Sequence, residues 1–359
     1  MILVTGGAGF VGSHVVEQLC DLGHEVRVVD RLHPGAHDGP PDDLDQRAEW
    51  HWADLADPEV ASRAVEGVDA VCHQAAMVGL GVDLADAPAY VRDNDVGTAT
   101  LLAALHDRAF TGRLVLASSM VVYGEGAYRC PRHGAVRPGA RSRVDLDAQQ
   151  WEPACPQCGR RLEPVAIDES YPAEPRNVYA ATKLHQEHLC AAYAREHDAR
   201  LVVLRYHNVY GPRMPRDTPY AGVASIFRSA LAGGRAPQVF EDGGQLRDFV
   251  HVTDVARANV LALCDDAARP GTYNIASGEP HTVVEMAHAI AAAYPSPHRD
   301  VEVVPCYRLG DVRHVFGRAE GARQALGFVA RVPFAEGMRA FATAPLRHPP
   351  TRPAPYSVT

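Results

Sequence analysis

Lysine is almost missing from this chain: of its 35 basic residues, Lys183 alone is a lysine and the rest are arginines. A position that keeps an ammonium against that bias is one where a planar guanidinium does not substitute. Long apolar runs are missing too. No stretch reaches the 18 residues of a membrane span, so no membrane partner is expected. Positive charge is in deficit, and a net charge of −9 excludes a broad phosphate-backbone footprint. Nucleic acid therefore leaves the expected partners, and anionic ligands fall to a few local arginines. The chain opens directly on the strand-like Met1-Ile-Leu-Val-Thr5 with no signal-peptide pattern, so the expected compartment is cytoplasmic, where thiols stay reduced. What the chain does have is size and apolar content: 359 residues, 47% of them hydrophobic, suffice for one large α/β domain or two lobes.

Short apolar runs alternate with helical patterns through the first two-thirds, the signature of a parallel sheet wrapped by helices. The patterning predicts strands over Ile2–Thr5, Val26–Val29, Ala70–His73, Leu114–Ser118, Leu201–Tyr206 and Asp248–Val252. It predicts helices over Val11–Leu22, Pro58–Val65, Asn94–Ala109 and Val178–Glu196. The expected fold is α/β, a Rossmann-type doubly wound parallel sheet over residues 1–210 with 246–265 returning to it. Residues 211–344 read mostly as a smaller C-terminal substrate lobe, and 345–359, with five prolines, as a flexible tail. Residues 125–168 are rich in Arg, Pro and Gly without apolar periodicity, and read as an insertion.

The first strand runs into Gly6-Gly-Ala-Gly9-Phe10-Val11-Gly12, a turn that opens a helix. Glycines let the backbone approach a pyrophosphate that the helix N-terminus then attracts. Asp30 ends the second strand, where a carboxylate accepts from a ribose diol and repels a 2′-phosphate, favouring NAD over NADP; Arg31 beside it weakens that preference. Tyr179 and Lys183 stand one helical turn apart, so an ammonium can stabilise phenolate and pull the tyrosine toward neutrality as a base. Ser118 and Ser119 end a strand at the carboxyl edge of the sheet, where a hydroxyl can polarise a developing carbonyl.

These features, with Asp54-Leu55, His73-Gln-Ala75-Ala76, Asn94, SSMVVYG (118–124), YAATK (179–183), RYHNVYGPR (205–213), RDFVHVTDVA (247–256), YNIASGE (273–279) and RLGDVRH (308–314), resemble the extended short-chain dehydrogenase/reductase family. The resemblance is to its nucleotide-sugar epimerase/dehydratase branch. It implies Tyr179 as base, Lys183 as its partner and Ser119 as the third catalytic member, all three near tightly bound NAD. Asp54 and Leu55 would flank the adenine, Ala75 and Ala76 the pyrophosphate and ribose, and Asn94 the sheet edge by the cofactor, with His207 alongside. Asn208 would touch the substrate's phosphate, and Arg247, Arg308 and, more weakly, Arg213 would hold its nucleotide; a surface salt bridge is the alternative for each arginine. A homodimer through the helices 94–109 and 178–196 is implied as well. Two positions depart from the family pattern. Met120 and Val121 stand where the 4,6-dehydratases carry Asp-Glu, so dehydration, which needs a further acid and base, is not expected. His207 replaces an aromatic or aliphatic residue and reads as a packing change.

Ser119 and Tyr179 lie 60 positions apart, and the excess over the family's usual spacing holds Cys130-Pro-Arg-His133-Gly and Cys155-Pro-Gln-Cys158-Gly. Each is a tight Pro/Gly knuckle aiming two ligands at one ion, and a Cys₃His set suits tetrahedral structural zinc. A disulfide or idle thiols are the alternatives. The other cysteines, Cys20, Cys72, Cys190, Cys264 and Cys306, are expected to be buried packing. The knuckled insertion, with the stretch Pro219–Phe227, resembles the bacterial dTDP-L-rhamnose 4-epimerase group. An apolar loop, Met77-Val-Gly-Leu-Gly81, leans the same way, toward a deoxysugar. A UDP-sugar 4-epimerase and a nucleotide-4-ketosugar reductase are the rival activities.

Overall fold

The computed structural model describes residues 1–79, 84–217, 222–295 and 300–348. The end of the apolar loop, the start of the 219–227 stretch and the tail beyond 348 lie outside the described residues.

Seven parallel strands form the central sheet in the order Gly271–Ile275, Arg200–Tyr206, Arg113–Ser119, Ala70–His73, Ile2–Thr5, Val26–Asp30, Glu49–Trp52. The order reverses between Ile2–Thr5 and Ala70–His73, and the crevice at that reversal is where ligands bind in such sheets. Side chains alternate across the pleat. Val4, Val28, Cys72, Val115 and Leu204 face one layer with the helices Phe10–Asp21 and Val252–Cys264. Leu3, Val71, Leu114, Leu116 and Val203 face the other, with Pro58–Ala64, Gly97–Asp107 and Val178–His197. Sheets buried on both faces need near-continuous apolar strands, which is the pattern these runs show.

The expectation fails at the far edge of the sheet. The stretch 248–252 does not rejoin the main sheet. Leu246–His251 pairs instead with Asn208–Tyr210 and Pro280–Thr282 in a separate three-stranded sheet. The returning strand is Gly271–Ile275, against Arg200–Tyr206. Val252–Cys264 does come back, as a helix packed on the sheet. Glu49–Trp52, the opposite edge, was not read from the sequence; three of its four residues are exposed, so it lacks an apolar signature.

A second core gathers Tyr210, Phe227, Phe249, Met286, Ile290 and Phe341 within the C-terminal part of the chain. The insertion has order of its own: Ala127–Cys130 lies between Gly134–Val136 and Glu163–Val165 in an antiparallel sheet, with a short helix at Arg143–Asp147. Among the described residues no helix is long and apolar enough to cross a membrane.

Candidate functional site

The glycine turn sits at the sheet's reversal. Gly6 has φ +69°, and a Cβ there would lie 2.6 Å from the backbone of Ala75. A Cβ on Gly12 would run into the Gly6 carbonyl. Only glycine lets strand end, helix start and the 73–76 segment converge so closely. Gly9 caps the helix Phe10–Asp21 with no side-chain hydrogen bond and no acidic residue in the first turn, so the N-terminal amides are left to an anion. Ala8 N–H donates to Asp30 Oδ2 at 2.9 Å and Leu32 N–H to Oδ1 at 2.9 Å, which fixes that carboxylate at the end of Val26–Asp30. This cradle fits a dinucleotide: close backbone, free amides and an oriented carboxylate.

Around it, several sequence candidates are engaged with one another. Arg31 pairs with Asp93 at 2.5 Å and with Asp54 at 3.4 Å, and Arg92 reaches Asp54 at 2.6 Å. Asp54 is thereby held below the usual carboxylate range: burial pushes it up, but the Ala56 amide and the Arg92 and Arg31 cations outweigh that. Leu55 is buried beneath. Ala75 N–H donates to Thr5 Oγ1 at 3.2 Å, and Ala76 is half-buried beside it. Thr5 Oγ1 also meets His73 Nδ1 at 2.7 Å, while His73 Nε2 meets Thr98 Oγ1 at 2.8 Å.

Asn94 departs from the expected contact with a cofactor. It is fully buried within the wide helical turn Val91–Val96, and its amide is consumed. Oδ1 accepts from Met77 N–H at 2.7 Å, and Nδ2 donates to Met77 O at 3.0 Å and Thr182 Oγ1 at 2.9 Å. It ties the segment after Ala70–His73 to the helix that carries Tyr179 and Lys183, a positioning role.

That helix, Val178–His197, starts where Asn177 Oδ1 accepts from Ala180 N–H at 2.9 Å. Tyr179 and Lys183 then face the carboxyl end of Arg113–Ser119. The Ser119 hydroxyl lies close enough to the Tyr179 phenol to pull its pKa down, and Lys183, 3% exposed, donates from Nζ to Ala117 O at 2.9 Å. Tyr90 packs on Tyr179 with ring centroids 6.2 Å apart. In the chain alone the tyrosine's shift is opposite to the expected one. Burial pushes the phenol up to about 12 against the pull of Ser119, and burial brings Lys183 down to about 8. The ammonium is directed at the Ala117 carbonyl, so desolvation governs both groups. Beneath them lies a network absent from the sequence reading: Ser118 Oγ donates to Glu187 at 2.5 Å, and Arg205 clasps the same carboxylate at 2.9 and 2.7 Å.

The substrate candidates divide. Asn208 is half-buried, and its Oδ1 has no partner among the described residues. His207 is buried against Gly317, where a Cβ would strike the ring, and burial holds it near 4. Arg213 turns away, with φ +65° and a 2.8 Å pair to Glu17 and a 3.6 Å pair to Asp43, so the salt-bridge alternative holds there. Arg247 is half-buried and donates to the carbonyls of Leu246 (2.8 Å), Arg313 (2.9 Å) and Val312 (2.7 Å). Arg308 is exposed, its guanidinium 5.4 Å from the centre of the Phe240 ring.

In the insertion the ligating atoms of Cys130, His133, Cys155 and Cys158 lie within 4.8 Å of one another. Cys130 and Cys158 sulfurs are 3.7 Å apart, and His133 Nδ1 is 3.7 Å from Cys130 Sγ and 3.4 Å from Cys155 Sγ. Of the other cysteines Cys20, Cys72 and Cys190 are buried as expected, Cys264 is half-buried, and Cys306 is exposed, on an irregular segment after the strand Glu302–Val304 that packs no core.

Residues 2–142 and 156–276 match the family described as NAD dependent epimerase/dehydratase, and the gap between them falls inside the insertion. The chain is 35% identical over 318 residues to the dTDP-L-rhamnose 4-epimerase of Burkholderia thailandensis, covering 87% of this chain and 86% of that one. Among solved structures it is similar to the UDP-glucose 4-epimerase of Thermotoga maritima with UDP-glucose (TM-score 0.77, 28% identity, 95% and 97% covered). It is also similar to the UDP-glucose 4-epimerase of Thermus thermophilus in complex with NAD (TM-score 0.75, 31% identity, 95% and 97% covered). With the glycine cradle and the oriented Asp30 at the sheet's reversal, and Tyr179 and Lys183 at the carboxyl end of the strand Arg113–Ser119, the chain belongs to the NAD-dependent epimerase/dehydratase family of nucleotide-sugar enzymes.

Proposed function

We propose that the protein inverts C4 of a nucleotide sugar through a transient 4-keto sugar, with dTDP-L-rhamnose as substrate and dTDP-6-deoxy-L-talose as product. The carrying observation is the neighbourhood of Ser119. Tyr179 lies by the Ser119 hydroxyl and the Lys183 ammonium reaches Ala117 O two residues earlier on the same strand, while the two side chains after Ser119, Met120 and Val121, cannot move protons. Elimination of water needs another acid–base pair; inversion at a carbinol carbon does not. When bound, oxidised NAD would supply a cationic ring and reversible hydride acceptance. Gly6, Gly9, Phe10, Val11, Gly12 and Asp30 are the residues that would hold it, with Ala75 and Ala76 opposite. Tyr179 takes the proton from the sugar O4 and gives it back, Ser119 shares that proton, and Lys183 stabilises the phenolate. A cationic neighbour opposes the burial that otherwise keeps the phenol protonated. Asn208, Arg247 and Arg308 serve the nucleotide end.

The deoxysugar assignment is supported by the Burkholderia relative and the knuckled insertion. A UDP-sugar 4-epimerase is the second reading, favoured by the likeness to the Thermotoga enzyme. Zinc in the Cys₃His cluster belongs to the same proposal: a 3.7 Å sulfur–sulfur separation matches the edge of about 3.8 Å that Zn–S bonds of about 2.3 Å give a tetrahedron. The proposal further includes a cytoplasmic homodimer, supported by the exposed small residues Ala99, Ala103, Ala181 and Ala192 on two adjoining helices.

The purified protein, given no added cofactor, is incubated with dTDP-L-rhamnose and with UDP-glucose separately and followed by NMR for the C4 epimer. Conversion of the first alone is expected. Conversion of UDP-glucose alone would replace the substrate and keep the chemistry. Turnover only with NAD(P)H and a 4-keto sugar would make the protein a reductase.

A further inference from the structure

The segment 307–314, which carries Arg308, is gripped by the insertion. Tyr307 Oη donates to Asp147 at 2.5 Å and its ring lies 6.4 Å from Trp151. Arg141 donates to the Asp311 carbonyl at 2.7 Å and pairs with Glu241 at 2.8 Å. Arg313 N–H donates to Glu125 at 2.9 Å. The Arg313 side chain, only 1% exposed, is shared between Glu152 of the insertion (2.7 Å) and Glu241 (2.9 Å) and Asp242 (2.8 Å) of the C-terminal part. Leu246 N–H donates to His314 Nδ1 at 3.1 Å, which leaves Nε2–H to donate to Glu152 at 2.9 Å. From the other side Arg247 holds the carbonyls of Val312 and Arg313. Glu152 stands three residues before Cys155, and Tyr128, packed with Cys130 and Cys155, donates to Glu125 at 2.8 Å. The four-residue cluster is thus joined by two short routes to the segment bearing Arg308, a half-buried one through Glu152 and a buried one through Tyr128 and Glu125.

We infer that the insertion is a positioning device for the nucleotide end of the substrate site: a metal held by Cys130, His133, Cys155 and Cys158 fixes Glu152 and Glu125, and these fix the segment 307–314 with Arg308. The inference rests on the reading that Arg308 and Arg247 serve the nucleotide. Neither route touches Tyr179, Lys183 or Ser119, so the effect falls on binding and leaves the chemical step alone.

The test uses the holoenzyme and its Glu152→Gln variant, with calorimetric Kd for dTDP and for UDP read beside KM and kcat. Glu152→Gln is expected to raise Kd and KM about tenfold, the scale of one charge-assisted hydrogen bond, with kcat within about twofold and NAD content unchanged. Tyr307→Phe, which loses one peripheral hydroxyl and does not threaten folding, should raise both about two- to threefold. Chelation followed to measured metal loss should reproduce the rise in Kd, and added Zn²⁺ should reverse it. A fall in kcat with KM and Kd unchanged in both variants would overturn the inference alone. A wild-type protein that binds neither nucleotide would overturn the reading of the site and the inference with it.

Discussion

Lys183 reaches a single carbonyl from a buried position, and a guanidinium has neither the room nor the point charge to do the same. Lys183→Arg should therefore lose as much turnover as Lys183→Ala, at least about a hundredfold by the scale of acid–base catalysis. An arginine variant retaining a tenth of wild-type kcat would show that any cation suffices. Tyr179→Phe should abolish epimerisation while NAD stays bound, read by absorbance and by cofactor release on denaturation; substantial residual turnover would assign the base elsewhere. The placing of Tyr179 and Lys183 against the strand that ends at Ser119 was legible because residue types at given spacings on recognisable elements come to one place. Asn94 and Arg213 were not, for a shared reason. Sequence shows a donor or acceptor but not which neighbour consumes it, and here Met77 and Thr182 take the one and Glu17 and Asp43 the other.

At the scale of elements, the strands deep in the sheet were readable and the edges were not. Gly271–Ile275 has only two buried residues, so its apolar signal is faint. Leu246–His251 has a clear apolar run, yet periodicity cannot say which sheet a strand joins, and this one joins the small sheet beside Asn208–Tyr210. The insertion offered no periodicity because its core is a handful of residues packed around thiols rather than an amphipathic face. The gathering of Cys130, His133, Cys155 and Cys158 was legible from knuckle spacing, the insertion's salt-bridge joint with Arg313 was not. Metal analysis should find one zinc per chain. Cys155→Ser combined with Cys158→Ser should lose it and lower thermal stability, and a wild-type protein free of metal would remove zinc from the reading. The joint is also a reason to expect no gain from neutral replacements there: Arg313 buried among three carboxylates becomes costly as soon as one partner is removed.

For the whole molecule the consequence is acid sensitivity. Burial lowers His14 to about 4, His73 to about 3 and His207 to about 4, so the folded chain keeps all three neutral where the unfolded chain, with histidines near 6.5, protonates them. Below pH 6.5 the unfolded state binds more protons, and stability falls with pH by about 1.4 kcal/mol per unit for each such histidine. Glu152, held near 2 because His314 and Arg313 outweigh burial, adds a loss of the same sign at lower pH, beginning as pH nears the ordinary carboxylate range. The urea midpoint should drop steadily from pH 7 to pH 4.5, and His73→Gln should flatten that slope; a midpoint indifferent to pH would contradict the buried neutral rings.

One feature of composition becomes a surface property once the chain is folded. The single lysine is the one inside the candidate active site. The folded protein consequently shows no side-chain amine to solvent. Acylating reagents, amine cross-linkers and the enzymes that acetylate or ubiquitinate lysine meet a surface whose permanent side-chain cations are all guanidinium. An amine-directed label that attaches anywhere other than the N-terminal amine of Met1 reports an opened fold rather than an exposed site.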